Sequence, residues 1–298
     1  MSRTSIFGLV NLALIIIVFG SYVIVAQTVT TGDWTASTKE AKPDKIHLSF
    51  ERKTERGGKN QHGSDFAYAD LQGLTPDQTR NGKVNFRMVR EAGTIECEGS
   101  FANGKGSGTY RFTGNKSYAD GMKSRGFDFE KSKNDWGDEL ENRLFSATVL
   151  NVTTAFADDL LSANFGKLDV DDLFKASIFK VTPQFMAEMK ATGFPDLGME
   201  DLVKARIFKI DADYVRKVRE MGFISEDFEG LVKFRIFKVT PDFLSELKRE
   251  GFENLSPEDV VKFRIFKLDA EFIRAARAEE PNITVEQLVQ RRIGVRRR

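Results

Sequence analysis

One cysteine, two histidines and two tryptophans are all that a chain of 298 residues has of these types. The single cysteine, Cys97, excludes an intrachain disulfide and a zinc site built from several thiolates. With only His47 and His62, a histidine-based metal site or catalytic triad has little to draw on. An excess of one charge is also missing: 45 Lys+Arg stand against 44 Asp+Glu, a net charge of +1. A dedicated nucleic-acid binder carries a strong basic excess, so nucleic acid is not an expected partner. Residues 99–106, GSFANGKG, fit G-x-x-x-x-G-K but lack the Ser or Thr that holds Mg²⁺. They also join two strand patterns, where a P-loop joins a strand to a helix. No cofactor and no catalytic constellation is expected.

Apolar residues make up 41% of the chain, charged residues 30%, and phenylalanine is overused at 26 copies. At about 100–200 residues per domain, the length suggests two domains. Residues 6–26 form an apolar run of 21 residues in which Asn11 is the only strongly polar member. About 20 such residues span a bilayer core, whereas the apolar part of a signal peptide has about 7–15. Arg3 precedes the run and no Lys or Arg follows until Lys39, so the positive-inside rule puts the N-terminus in the cytoplasm. The expectation is a transmembrane anchor at 1–26 in a bacterial inner membrane, with the rest of the chain extracytoplasmic. Residues 24–26 also resemble a cleavage site, so a removed signal peptide is the other reading. The polar stretch 27–44, with its Gly and Pro, reads as a linker.

Residues 45–114 read as an antiparallel β domain of four or five strands. Ile46, Leu48 and Phe50 alternate with polar neighbours, as do Val84, Phe86 and Met88, then Ile95, Cys97 and Phe101, then Tyr110 and Phe112. Glu91-Ala92-Gly93 and Asn103-Gly104 supply hairpin turns. Cys97 falls on the apolar face and is expected to be a packed thiol.

Residues 115–298 carry a 29-residue period. Ile-Phe-Lys occurs at 178–180, 207–209, 236–238 and 265–267; an aromatic recurs at Phe156, Phe185, Tyr214, Phe243 and Phe272; Gly-Phe recurs at 193, 222 and 251, with Asn164-Phe165 one period earlier. One unit shows the logic. Thr240 caps a helix with Pro241 at its first position, and Gly251 ends it with Phe252 folding back over Leu247. Ser256 and Pro257 start a second helix, with Val260, Val261, Phe263 and Ile265 as its apolar positions. Neither helix is long enough to stand alone, so the units must stack as an α-solenoid. Residues 115–118 with Gly126-Phe127 look like a first unit carrying an insertion. The fold class is therefore α+β: a transmembrane helix, a small antiparallel sheet and a C-terminal α-solenoid of two-helix repeats.

The stretch RIFKVTPDFLSELKREGFENLSPEDVVKFRIFK resembles an extracytoplasmic helical-repeat family written R-I-H-G-V-T-P-E-F-I-x-E-L-x-x-x-G-Y. That repeat occurs in bacterial membrane proteins, among them some antirepressors of β-lactam-sensor type, where it follows a membrane metallopeptidase. FAYADLQGL and REAGTIECEGSFANGKGSGTYRF are similar to the β-rich region that precedes the repeats in that family. The resemblance implies architecture over residues 45–298 and leaves function open. The family's His-Gly is Phe179-Lys180 and its equivalents here, which implies loss of a glycine turn. The metallopeptidase is not implied, because neither histidine belongs to a His-Glu-x-x-His motif.

Two charge ladders follow the period. Lys175, Lys204, Lys233 and Lys262 each lie four residues after an acid, an order that favours salt bridges along a helix face. Arg206, Arg235, Arg264 and Arg292 have no such acid. Beside helix ends they complement the dipole or pair with a neighbouring repeat, and they are also the candidate partner-binding row for a protein or an anionic envelope polymer. The expected function is a membrane-anchored binding or scaffold module in envelope sensing or protein–protein interaction. The alternatives are a regulatory partner of a membrane peptidase, or a hydrolase using Asp65 or Asp70 in a cleft between sheet and solenoid.

Overall fold

The computed structural model describes residues 29–294 apart from 43, 54–58, 132–139, 195–196, 221, 223–227 and 254. The apolar run at 6–26 and the last arginines at 296–298 lie outside the described residues. Among the described residues no helix is long and apolar enough to cross a membrane. The described chain is α+β, with an antiparallel sheet of six strands followed by twelve helices.

Two three-stranded meanders build the sheet. β1 (Val29–Ser37), β2 (Lys45–Lys53) and β3 (Lys59–Ala67) form one; β4 (Asn81–Arg90), β5 (Gly93–Ala102) and β6 (Lys105–Gly114) form the other. β1 pairs with β6 along its whole length, which joins them in the order β3-β2-β1-β6-β5-β4. The alternating apolar residues expected of 45–114 are buried on one face. Asn103 and Gly104 close the β5–β6 hairpin at positive φ, so the G-x-x-x-x-G-K stretch is a strand–turn–strand.

The segment 27–44 is not a linker: β1 lies in it, at the centre of the sheet. Its inward positions after Thr30 are Gly32, Trp34 and Ala36, too little apolar surface to register as a strand pattern. Gly32 is small because the Tyr110 ring crosses it; a Cβ there would meet that ring at 2.7 Å. Trp34 is 1% exposed, stands edge-on to Phe86 at 5.2 Å, and donates its Nε1 hydrogen to the Glu98 carbonyl at 3.2 Å. β3 was also hidden, because an edge strand needs few apolar residues and Phe66 is its buried one.

The helices come in pairs. α1 (Lys116–Ser124) and α2 (Leu140–Leu150) form the first pair, and α2 covers the sheet. Its Phe145 ring packs against Phe50, Tyr110 and Phe112 at 5.8, 5.4 and 5.2 Å. The boundary at 114/115 thus separates strands from helices, but the apolar core runs through it unbroken. Five more pairs follow: α3 (Thr154–Ser162) with α4 (Val170–Phe179), α5 (Pro183–Lys190) with α6 (Met199–Phe208), α7 (Ala212–Glu220) with α8 (Phe228–Ile236), α9 (Pro241–Arg249) with α10 (Pro257–Ile265), and α11 (Ala270–Glu279) with α12 (Val285–Arg292). The second helices, α2 to α12, stack on one another in a row.

Local chemistry sets the helix ends. Thr240 accepts from the Phe243 N–H at 3.2 Å with Pro241 in the first turn, and Asp269 caps Phe272 in the same way at 2.8 Å. α9 ends as expected: the Phe252 N–H reaches the Leu247 carbonyl at 3.0 Å, the Gly251 N–H reaches Lys248 at 3.0 Å, and Phe252 is buried. In α10, Val260, Val261 and Phe263 are buried as expected, but Ile265 is not.

Candidate functional site

The four candidate arginines stand near the ends of the second helices. Each lies over the aromatic of its own pair's first helix: Arg206 over Phe185 at 3.8 Å, Arg235 over Tyr214 at 3.6 Å, Arg264 over Phe243 at 4.2 Å and Arg292 over Phe272 at 4.6 Å. Three of them also reach the end of the preceding pair's second helix. Arg235 donates to the Lys209 carbonyl at 2.6 Å, Arg264 to Lys238 at 3.1 Å and Arg292 to Lys267 at 2.7 Å. A guanidinium plane on a ring gains cation–π attraction, and a cation at a helix C-terminus meets the negative end of the dipole. Stacking buries the Nε atoms of Arg206 and Arg235 without an acceptor. One period earlier the position is Ser177, whose hydroxyl donates to the Leu150 carbonyl at 3.2 Å.

A second stacked row was not read from the sequence. Arg219 lies over Phe194 at 4.9 Å and Arg277 over Phe252 at 4.4 Å, while Lys190 stands over Phe165 at 5.8 Å. These cations reach carbonyls at the end of the preceding first helix: Arg219 to Thr192, Arg277 to Glu250 and Lys190 to Asn164. The signal was present as a cation 25 residues after the aromatic of each Gly-Phe or Asn-Phe, at 165/190, 194/219 and 252/277.

The lysine ladder pairs between repeats, not only along one helix. Lys175 bonds Glu200; Lys204 meets Glu229 at 2.8 Å, Lys233 meets Glu258 at 2.8 Å and Lys262 meets Glu286 at 3.6 Å. The Lys233 hydrogen bond holds the Glu258 carboxyl below the usual carboxylate range. The i,i+4 spacing places acid and base on one face, but stacking brings the next unit's acid closer.

A fourth row does none of this. Lys180, Lys209, Lys238 and Lys267, the last residues of the Ile-Phe-Lys triplets, stand in the left-handed conformation at φ of 57°, 54°, 54° and 51°. The resemblance implied loss of a glycine turn at these positions, yet the lysines adopt the left-handed conformation that glycine favours. The Val239 N–H reaches the Phe234 carbonyl at 2.7 Å and the Lys238 N–H reaches Arg235 at 3.2 Å, the same ending that Gly251 gives α9. All four lysines are exposed, and their ammonium groups make no ion pair among the described residues. Beside them Ile178, Ile207, Ile236, Ile265 and Ile293 are 53%, 52%, 50%, 49% and 55% exposed. Phe179, Phe208 and Phe266 between them are half-buried against the core, and Phe237 is 36% exposed. The row of second helices thus presents an edge of aliphatic side chains flanked by unpaired ammonium groups.

Concavities also lie elsewhere. One of about 640 Å³ faces outward on the sheet, where Arg111, Glu96 and Arg87 stand directly across β6, β5 and β4. Another, about 270 Å³, is the cleft between sheet and helices, lined by Arg52, His62, Tyr110, Asn142 and Asp171. Burial pushes the Tyr110 hydroxyl up to about 12. Asp65 and Asp70, the acids considered for hydrolysis, do not line it. Asp65 pairs with His47 at 2.9 Å and Asp70 with Arg90 at 3.5 Å. Cys97 is buried, and desolvation raises its thiol pKa well above the usual range.

Comparison with family models, with curated proteins and with solved structures finds no match to this chain.

Proposed function

We propose that this chain is a membrane-anchored extracytoplasmic binding and scaffold module, acting in envelope sensing or protein–protein interaction. The observation that carries the reading is the edge of exposed isoleucines, and of lysines without an ion pair among the described residues, repeated along the stacked helices. The 29-residue period supports an α-solenoid, an architecture that offers an extended surface for a partner. The apolar run at 6–26 supports a single membrane span. The stacked arginines and inter-repeat salt bridges tie successive pairs together, and a surface ordered in advance lowers the cost of binding. Site-specific photocrosslinking in native membranes tests the proposal. A photoreactive residue at Ile236 is expected to trap a partner that the same group at Lys217, on the exposed face of α7, does not. Equal labelling from both positions, or none from either, counts against it.

A further inference from the structure

Among the described residues the left-handed helix ends fall into two groups, apart from Asn151 and Gly294, which follow the first and the last of the second helices. The first helices end in Gly126, Gly193, Gly222 and Gly251, or in Asn164, residues that adopt positive φ readily. The second helices of four successive pairs end in lysine at the same backbone conformation. A residue with a Cβ pays for that conformation, and the fold gives nothing back through the side chain, since the ammonium groups make no ion pair among the described residues. The other cation rows described above, by contrast, reach a neighbouring unit, as Arg235 does at Lys209, Arg277 at Phe252 and Lys233 at Glu258. The ammonium groups are thus free to meet something outside the fold, and the half-exposed isoleucines beside them mark where it sits.

Spacing and charge define the occupant. Directly packed helices lie about 8–10 Å apart, so the edge repeats one apolar and one positive site at about that interval. Three residues of polyproline II advance about 9 Å and return to the same face, whereas residues three apart in a β-strand point to opposite faces. We infer that this edge binds an extended acidic polypeptide in which a carboxylate and an apolar side chain recur every third residue. The inference rests on the binding-module reading and names its partner class. A bilayer fits less well: each isoleucine is half covered, and the aromatic side chains that anchor a protein in the headgroup region are mostly turned inward here.

The test uses the full-length chain in nanodiscs of uncharged lipid and fluorescence anisotropy of labelled peptides. The probe is a 15-mer of five Asp-Leu-Pro units; the controls are Asp-Leu-Pro-Gly units, which break the spacing, and Lys-Leu-Pro units, which reverse the charge. The informative variant is Lys180→Gly with Lys209→Gly, Lys238→Gly and Lys267→Gly. Glycine suits the backbone there, so misfolding does not explain lost binding, and an unchanged or raised melting temperature verifies this. The Asp-Leu-Pro peptide is expected to bind in preference to both controls, about tenfold more weakly to the variant, and with strong salt dependence. Equal binding of three- and four-residue repeats, or of wild type and variant, overturns the inference. So does variant-sensitive binding to phosphatidylglycerol vesicles without binding to the peptide, which reassigns the edge to a membrane surface. If the peptide fails while Ile236 still crosslinks a partner, only the partner class is wrong; if both fail, the binding-module reading falls as well.

Discussion

Single residues in this chain carry opposite strain at equivalent turns. Gly193 and Lys209 end neighbouring helices at φ of 79° and 54°. Gly193→Ala meets no atom within 4 Å, so its expected loss of about 1 kcal/mol is conformational alone. Lys209→Gly is expected to gain about 0.5–1 kcal/mol, the relief of left-handed strain less the entropy of an added glycine. Urea denaturation of the two variants checks the opposite signs. The stacked arginines make a different claim. Arg235→Ala removes both the contact with Tyr214 and the hydrogen bond to Lys209, and about 2 kcal/mol is the expected loss. Arg235→Lys keeps the charge but not the flat, forked donor, so it should restore little. Full recovery by lysine means that charge alone matters at that joint.

Among the elements, β1 bears most on the sheet. Its pairing with β6 joins the two meanders into one sheet, and Trp34 packs against Phe86 of β4 and Phe101 of β5. Trp34→Ala is expected to cost about 3–5 kcal/mol and to lower the urea midpoint accordingly. A small effect would place the core of the sheet elsewhere. The helices depend on their ends more than on their length. Each has 8–11 residues, with Thr, Ser, Asp or Asn capping most of the N-termini, and such helices persist only by packing. Those signals were plain in the sequence, because capping and the glycine ending are local. β1 and β3 were not, because a central strand facing a Tyr110 ring needs a glycine, and an edge strand needs little apolar surface.

Over the whole molecule, stability is coupled from pair to pair by cation–π contacts, carbonyl bonds and ion pairs. Several carboxylates in this network are held below their ordinary range: Glu258 by the hydrogen bond from Lys233, Glu250 by the one from Arg274, and Asp158 by the one from Arg125. A carboxyl depressed in the folded state adds stability above its unfolded pKa, about 4, and loses it as pH falls through the folded value. The urea midpoint is therefore expected to hold near neutrality and to fall on acidification toward pH 3. Glu250→Gln should flatten that fall. A midpoint that rises on acidification would show that these pairs do not contribute.

The sequence alone determined the repeat period, the helix ends and the apolar face of four strands, because each is written in neighbours a few residues apart. It also marked the lysine and arginine ladders and the lysines of the Ile-Phe-Lys triplets, though not the row of Lys190, Arg219 and Arg277. Only the tertiary structure decided what those cations do. Packing distance brought the acid of the next unit to Lys204, laid Arg235 on Tyr214, and left Lys238 and Ile236 facing outward. A period fixes which residues are equivalent. Which of them meet is set by how one helix lies against the next.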